Sequence, residues 1–226
     1  MKQIIRKVLK EWALNHSRVF RFMTFGGGKI KIKGQGHEII NHAFRMKGCI
    51  ISVSGSNNHI EIEKDVRMKN VNISITGNGH KLKICKGVRF VHGGGIRLED
   101  MSNSIIIGEN TTIYDAFLSA GDKNTKIEIG NDNLFSVNVI LRTSDSHSIL
   151  SENGNVRINM GENIILGDHV WLCNGVNVLK GVSIGSGSVI GTQSVVTKDV
   201  PSKSIACGNP AKVVKTNIRW NEQRFY

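Results

Sequence analysis

The stretch LGDHVWLCNGVNVLKGVSIGSGSVIGTQSVV, residues 166–196, carries an aliphatic residue at every sixth position: Leu166, Leu172, Val178, Ile184, Ile190 and Val196. Neither a helix nor an ordinary strand has that period. A second series, Val170, Val176 and Val182, follows four residues behind, and Gly167, Gly185 and Gly191 directly follow members of the first. A coil of three short faces accounts for all of this: each face sends one aliphatic side chain inward, and a small residue follows where the chain turns a corner. Stacked coils bury a continuous aliphatic rod, so repetition decides the fold.

Working outward, the same rod continues in a longer register. Ile51, Val53, Gly55, Ile60, Val66 and Met68 are matched 22 residues later by Ile73, Ile75, Gly77, Leu82, Val88 and Phe90, and Ile30, Ile32 and Gly34 precede Ile51, Val53 and Gly55 by 21. Three hexads make a coil of 18, so a 22-residue step is that coil with extra residues at one corner. The spacing predicts a parallel β-helix over 29–201, with eight or nine coils and a length of roughly 40 Å at the usual strand separation. Ile129, Phe135, Leu141 and His147 keep the six-residue step; the frame then breaks and resumes at Met160, so 148–157 reads as a projecting polar loop.

Composition agrees. Two prolines, 25 glycines and 6% aromatic residues in 226 suit a rod filled by Ile, Leu and Val. Cys49, Cys85, Cys173 and Cys207 stand singly, which points to reduced thiols and a cytoplasmic setting. No apolar run is long enough for a signal core or a bilayer span. Of the formal charge of +12, +8 falls in residues 1–33, where Ile4, Ile5, Val8, Leu9 and Trp12 recur at helical spacing. Residues 1–28 therefore read as a basic amphipathic helix that caps the first coil, rests on an anionic membrane surface, or does both. Residues 202–226 read as a tail whose Ile218, Trp220 and Phe225 cover the far end or pack on a neighbour. The charge comes without a zinc-finger, RNP or helix-turn-helix pattern or interleaved aromatics, which argues against nucleic acid as partner.

Arg142-Thr143-Ser144-Asp145-Ser146-His147-Ser148 sets an imidazole two residues from a carboxylate at the mouth of the loop. Histidine titrates near neutrality, so His147 is a candidate general base, with Asp145 to orient it. Taken alone, the histidine reads more readily as a surface histidine in a polar turn.

Three segments decide between these readings: IGNDNLFSVNVILRTSDSHSI (129–149), RINMGENIILGDHVWLCNGVNVLKGVSIGSGSVIGTQSVVTKDVP (157–201) and ACGNPAKVVK (206–215). Over these the chain closely resembles the hexapeptide-repeat acyltransferases, in particular the sugar O-acetyltransferases of bacterial surface-polysaccharide synthesis. The resemblance implies a left-handed parallel β-helix, a homotrimer, and acetyl-CoA bound between neighbouring rods. It assigns His147 as general base for direct transfer to a sugar hydroxyl. It places Trp171 beside the thioester or acceptor, Asn174 and Thr192 along the pantetheine arm, and Lys198, Lys212 and Lys215 near the CoA phosphates. Asp115 and Asn159 are implied as acceptor contacts, although relatives usually carry asparagine at the position of Asp115.

Two other classes share the fold. A zinc enzyme of the γ-carbonic-anhydrase type needs three converging histidines; His147 and His169 stand 22 apart, but His80 and His92 lie several coils away, so no metal site is expected. A noncatalytic solenoid could bind glycan on a flat repetitive face, but it has no need of one unique interruption.

Overall fold

The computed structural model describes residues 20–23 and 28–223, all of it strand, turn and loop. The chain is a left-handed parallel β-helix of three faces. The first face begins with Lys29–Gln35 and ends with Val195–Val196; the second runs from Glu38–Asn41 to Ser183–Ile184; the third from Arg45–Lys47 to Ile205–Gly208.

Inward columns follow the predicted periodicity. On the first face Ile30, Ile51, Ile73, Ile96, Leu118, Leu141, Val178 and Val196 stand in register, one above the other, and all are buried. Fully burying each such side chain is worth roughly 1.5–3 kcal/mol, which is how a rod without a globular core holds together. The residues between them point outward, as strand geometry requires.

The 22-residue coils need one corner of unusual shape. Gly55 sits there at φ +112°, and a Cβ built on it would lie 1.9 Å from the carbonyl oxygen of Gly77 in the next coil. Only glycine lets the two backbones approach so closely. Behind that corner, between the first and second faces, runs a buried polar ladder. The Asn58 Nδ2 donates to the Gly77 carbonyl at 2.9 Å, the His80 N–H donates to Asn58 Oδ1 at 2.9 Å, and the Asn103 N–H donates to His80 Nδ1 at 3.2 Å. The Thr125 N–H continues to Asn103 Oδ1 at 2.8 Å, and its hydroxyl meets that of Thr143 at 2.9 Å. Each rung satisfies turn groups that would otherwise be buried without partners. The ladder ends at Thr143, where the projecting loop begins.

Several boundaries differ from the sequence reading. Phe20–Met23, assigned to the helix or cap of 1–28, is a strand antiparallel to Lys29–Gln35. The helical stripe from Ile4 to Trp12, and Phe225, lie outside the described residues. The rod does not stop at Pro201: Ile205–Gly208 adds a further strand to the third face, and Ala211–Lys215 folds back antiparallel on it. The break in the repeat is wider than 148–157. His147 is exposed rather than inward, Met160 is 58% exposed, and the second face resumes only at Ile164–Leu166. The periodicity failed here because the polar run Ser144–Ser148 happens to place a histidine on the sixth position after Leu141.

Candidate functional site

The coil that carries the loop takes 37 residues from Leu141 to its neighbour Val178, against 18 from Val178 to Val196. The two limbs of the loop pair briefly, with an antiparallel bridge between Leu150 and Arg157 and the Ile158 N–H donating to the Ile149 carbonyl at 2.9 Å, and side chains hold the root below that bridge. Asn159, buried at the return of the loop, donates through Nδ2 to the His147 carbonyl at 2.8 Å and to Asp145 Oδ2 at 2.9 Å, while its Oδ1 accepts the Ile149 N–H at 2.7 Å. The His147 N–H donates to the Asp145 carbonyl at 2.8 Å. Arg157 completes the root with a two-pronged contact to Asp122 on the coil below, both bonds at 2.8 Å. Lys180, on the coil above, donates to Asp145 Oδ2 and to the Asn159 carbonyl.

These contacts set the charges. The Lys180 ammonium, helped by Asn159, holds the Asp145 carboxyl below its ordinary range, and the Arg157 guanidinium does the same for Asp122. The arrangement fixes the backbone of His147 and leaves its imidazole exposed and without a hydrogen bond to any described residue. Asp145 therefore does not orient the ring, as the sequence suggested. Its carboxylate faces Lys180 and Asn159, because the chain is not extended here and turns between the two residues at Ser146, whose φ is +67°.

The other candidates distribute along the edges of the rod. Asp115 lies at the corner from the third to the first face and lines a shallow cleft of about 420 Å³ with Gly94, Phe117, Asn138 and Ile140. Asn174 and Thr192 stand on that same edge, linked where the Gln193 N–H donates to the Asn174 carbonyl at 2.8 Å. Lys212 pairs with Cys207, and Lys215 with Ile205, in the terminal hairpin. Lys198 stands at the opposite edge of the first face, one coil beyond Lys180. Trp171 is half-buried on the third face, tilted against Trp220 at 5.7 Å, and Trp220 stacks on His169 at 3.9 Å and 6°. The tail thus packs on the side of its own rod. Within one chain, Asp115 and Trp171 are on different edges from His147, whereas Asp145, His147 and Asn159 are together.

The histidines weighed as zinc ligands are held apart. His80 is buried in the corner ladder, His92 lies against Tyr114 at 5.5 Å, and His169 is stacked on Trp220.

Sequence reasoning missed Lys180, Arg157 and Asp122. Lys180 had a signal, since it precedes Lys198 by one 18-residue coil. The Arg157–Asp122 pair spans 35 residues across two coils and had none.

A three-faced left-handed rod interrupted once among the described residues, by a loop that presents an exposed imidazole at its root, is the architecture that the resemblance to β-helical acyltransferases implies. Residues 163–198 match the family described as bacterial transferase hexapeptide (six repeats). The crystal structure of the polySia-specific acetyltransferase NeuO superimposes with a TM-score of 0.81 at 35% identity, covering 87% of this chain and 89% of that one. That of the polysialic acid O-acetyltransferase OatWY gives 0.81 at 30% identity, covering 86% and 92%. A polysialic acid O-acetyltransferase of Escherichia coli O1:K1 / APEC is 47% identical over 118 residues, 52% of this chain, and the match spans only 38% of that curated relative. The chain belongs to the hexapeptide-repeat acyltransferases.

Proposed function

We propose that the protein is an acetyl-CoA-dependent O-acetyltransferase that modifies a hydroxyl of a bacterial surface polysaccharide. One observation carries this reading: the root of the loop pins the His147 backbone while its ring stays exposed and unpartnered. An imidazole so held is available to a hydroxyl.

In this mechanism His147 accepts the proton of a sugar hydroxyl as the oxygen attacks the thioester carbonyl carbon. The C–S bond then breaks, the acetyl group stays on the sugar oxygen, and the imidazolium returns its proton to the leaving sulfur. No covalent acyl-enzyme intervenes, so no activated Ser or Cys is required. Asn159, Arg157 and Lys180 hold the loop in place, and Asp145 joins them as a positioning residue.

The chain offers a fitting seat for the donor. Asn174 and Thr192 share one edge, which suits an extended pantetheine arm, and Lys212 lies beside its terminal end to meet phosphate. Lys198 stands on the other edge of the first face, so it joins the same groove only if a second rod lies alongside. The same holds for Asp115 and Trp171 relative to His147. Loop residues Ile149, Leu150, Val156, Ile158 and Met160 are 50–66% exposed, an apolar cluster that a neighbouring rod would cover. A homotrimer satisfies all three requirements. Use of a CoA thioester puts the reaction on the cytoplasmic side, with the basic N-terminal segment near the membrane.

The test is His147→Ala. Acetyl-CoA turnover with polysialic acid as acceptor falls by roughly 10²–10⁴-fold, while sedimentation equilibrium gives three times the chain mass for both proteins. Near wild-type turnover overturns the base assignment, and a monomer overturns the shared groove.

A further inference from the structure

On the second face most cations are matched: Lys83 pairs with Glu61 and Glu63, Lys126 with Glu128, and His59 faces Glu38, while Lys81 makes no ion pair with any described residue. Those of the third face are not. Arg45, Arg67 and Arg89 occupy the same outward position in three successive coils, with Lys47 and Lys69 in register beside them. All five are exposed, and none makes an ion pair with any described residue. Arg89 donates to the Thr112 hydroxyl at 2.9 Å, and Arg67 lies over the Phe44 ring at 4.9 Å.

Strand pairing sets the backbones of these residues roughly 4.8 Å apart per coil, so their like charges are held near one another, and no described carboxylate forms an ion pair with them. The column does not stop at Arg89. It continues in register through Thr112 and Leu134 to Trp171, five coils and roughly 24 Å from Arg45. Phe44, 62% exposed, and Tyr114, 40% exposed, flank it with aromatic surface.

We propose that this column is a binding track for an extended acidic polysaccharide, whose carboxylates lie along Arg45, Arg67 and Arg89 while the chain leads toward Trp171. The proposal rests on the acceptor assigned above and adds where a polymeric acceptor is held. A line of cations matches a linear polyanion better than a single anion, and exposed rings suit the faces of sugars. A second copy paired about a two-fold axis is a poor occupant, because it would present the same charges. Contact at the track then serves to keep a long acceptor on the enzyme between transfers.

The experiment uses the full chain and α2,8-linked polysialic acid as probe, with affinity measured at low and physiological salt. Arg45→Gln/Arg67→Gln/Arg89→Gln should bind the polymer at least about tenfold more weakly than wild type, with a flatter salt dependence. A charge-matched control, Lys81→Gln/Lys123→Gln/Lys203→Gln, should keep wild-type affinity, and circular dichroism establishes that both variants are folded. Equal affinity of the arginine variant and wild type, or equal loss in the control, overturns the track. So does wild-type binding to phosphatidylserine vesicles or duplex DNA that matches the glycan and depends on the same arginines. His147→Ala separates this from the transfer reading. Unaltered polymer binding without turnover supports both; turnover that survives His147→Ala, with binding that needs the arginines, leaves the track standing without the base.

Discussion

Arg157 places its two terminal guanidinium nitrogens on the two carboxylate oxygens of Asp122, each at 2.8 Å, across 35 residues of chain. This contact ties the returning limb of the loop to the coil beneath it. The Ser144 hydroxyl donates to the same carboxylate at 3.1 Å, so both limbs converge on one side chain. Planar two-point pairing fixes direction as well as distance, which lysine would not reproduce.

Arg157→Met keeps much of the side-chain bulk and removes the two-point contact. We expect the rod to stay folded, since the pair lies outside the aliphatic columns, while turnover falls roughly 10- to 100-fold through misplacement of His147. Limited proteolysis should show faster cleavage within 148–157, and the melting temperature should move little. Arg157→Lys should recover only part of the activity.

Lys180 sets a pH dependence. Its ammonium is the principal reason that the Asp145 carboxyl lies below its ordinary range. A carboxyl lowered in the folded state contributes order above its ordinary pKa and loses it as pH falls through the folded value. Lys180→Met removes the main cause, so the carboxyl rises toward its usual range and the root loosens at higher pH. The acid limb of the activity profile should therefore shift upward in pH relative to wild type.

His80 makes the fold itself sensitive to acid. Its Nδ1 accepts the Asn103 N–H, so its Nε2–H donates to the Thr76 carbonyl at 3.2 Å and the ring is neutral. Burial lowers its pKa, so the folded state resists a proton that the unfolded chain takes up. Stability from this residue is complete above the ordinary histidine range, about pH 6.5, and declines as pH falls below it. Asparagine occupies the equivalent rung at Asn58 and Asn103. His80→Asn should thus keep the ladder and reduce the loss of stability as pH falls below about 6.5, as read from urea unfolding.

Much of the site was legible because it lies close along the chain. Asp145, His147 and Asn159 meet at one root, and the motif around them marked the place. The relation between Asp145 and His147 was not legible, since which way each side chain turns depends on Asn159 and Lys180 reaching in from 14 and 35 residues away. The loop was placed correctly but drawn too narrow: a polar corner can mimic a hexad by coincidence, as His147 did.

The sequence by itself determined the rod, because a buried aliphatic side chain at each face imposes a period that composition cannot hide. It also determined which coil carries the interruption. Only the tertiary structure decided the partners across coils: Arg157 on Asp122, Lys180 on Asp145, and Arg45, Arg67 and Arg89 in a line that ends at Trp171. Such contacts depend on the register between stacked coils, and register is set by how many residues each corner absorbs. Those corner lengths vary from coil to coil, so residues far apart in the chain become neighbours only once every turn is in place.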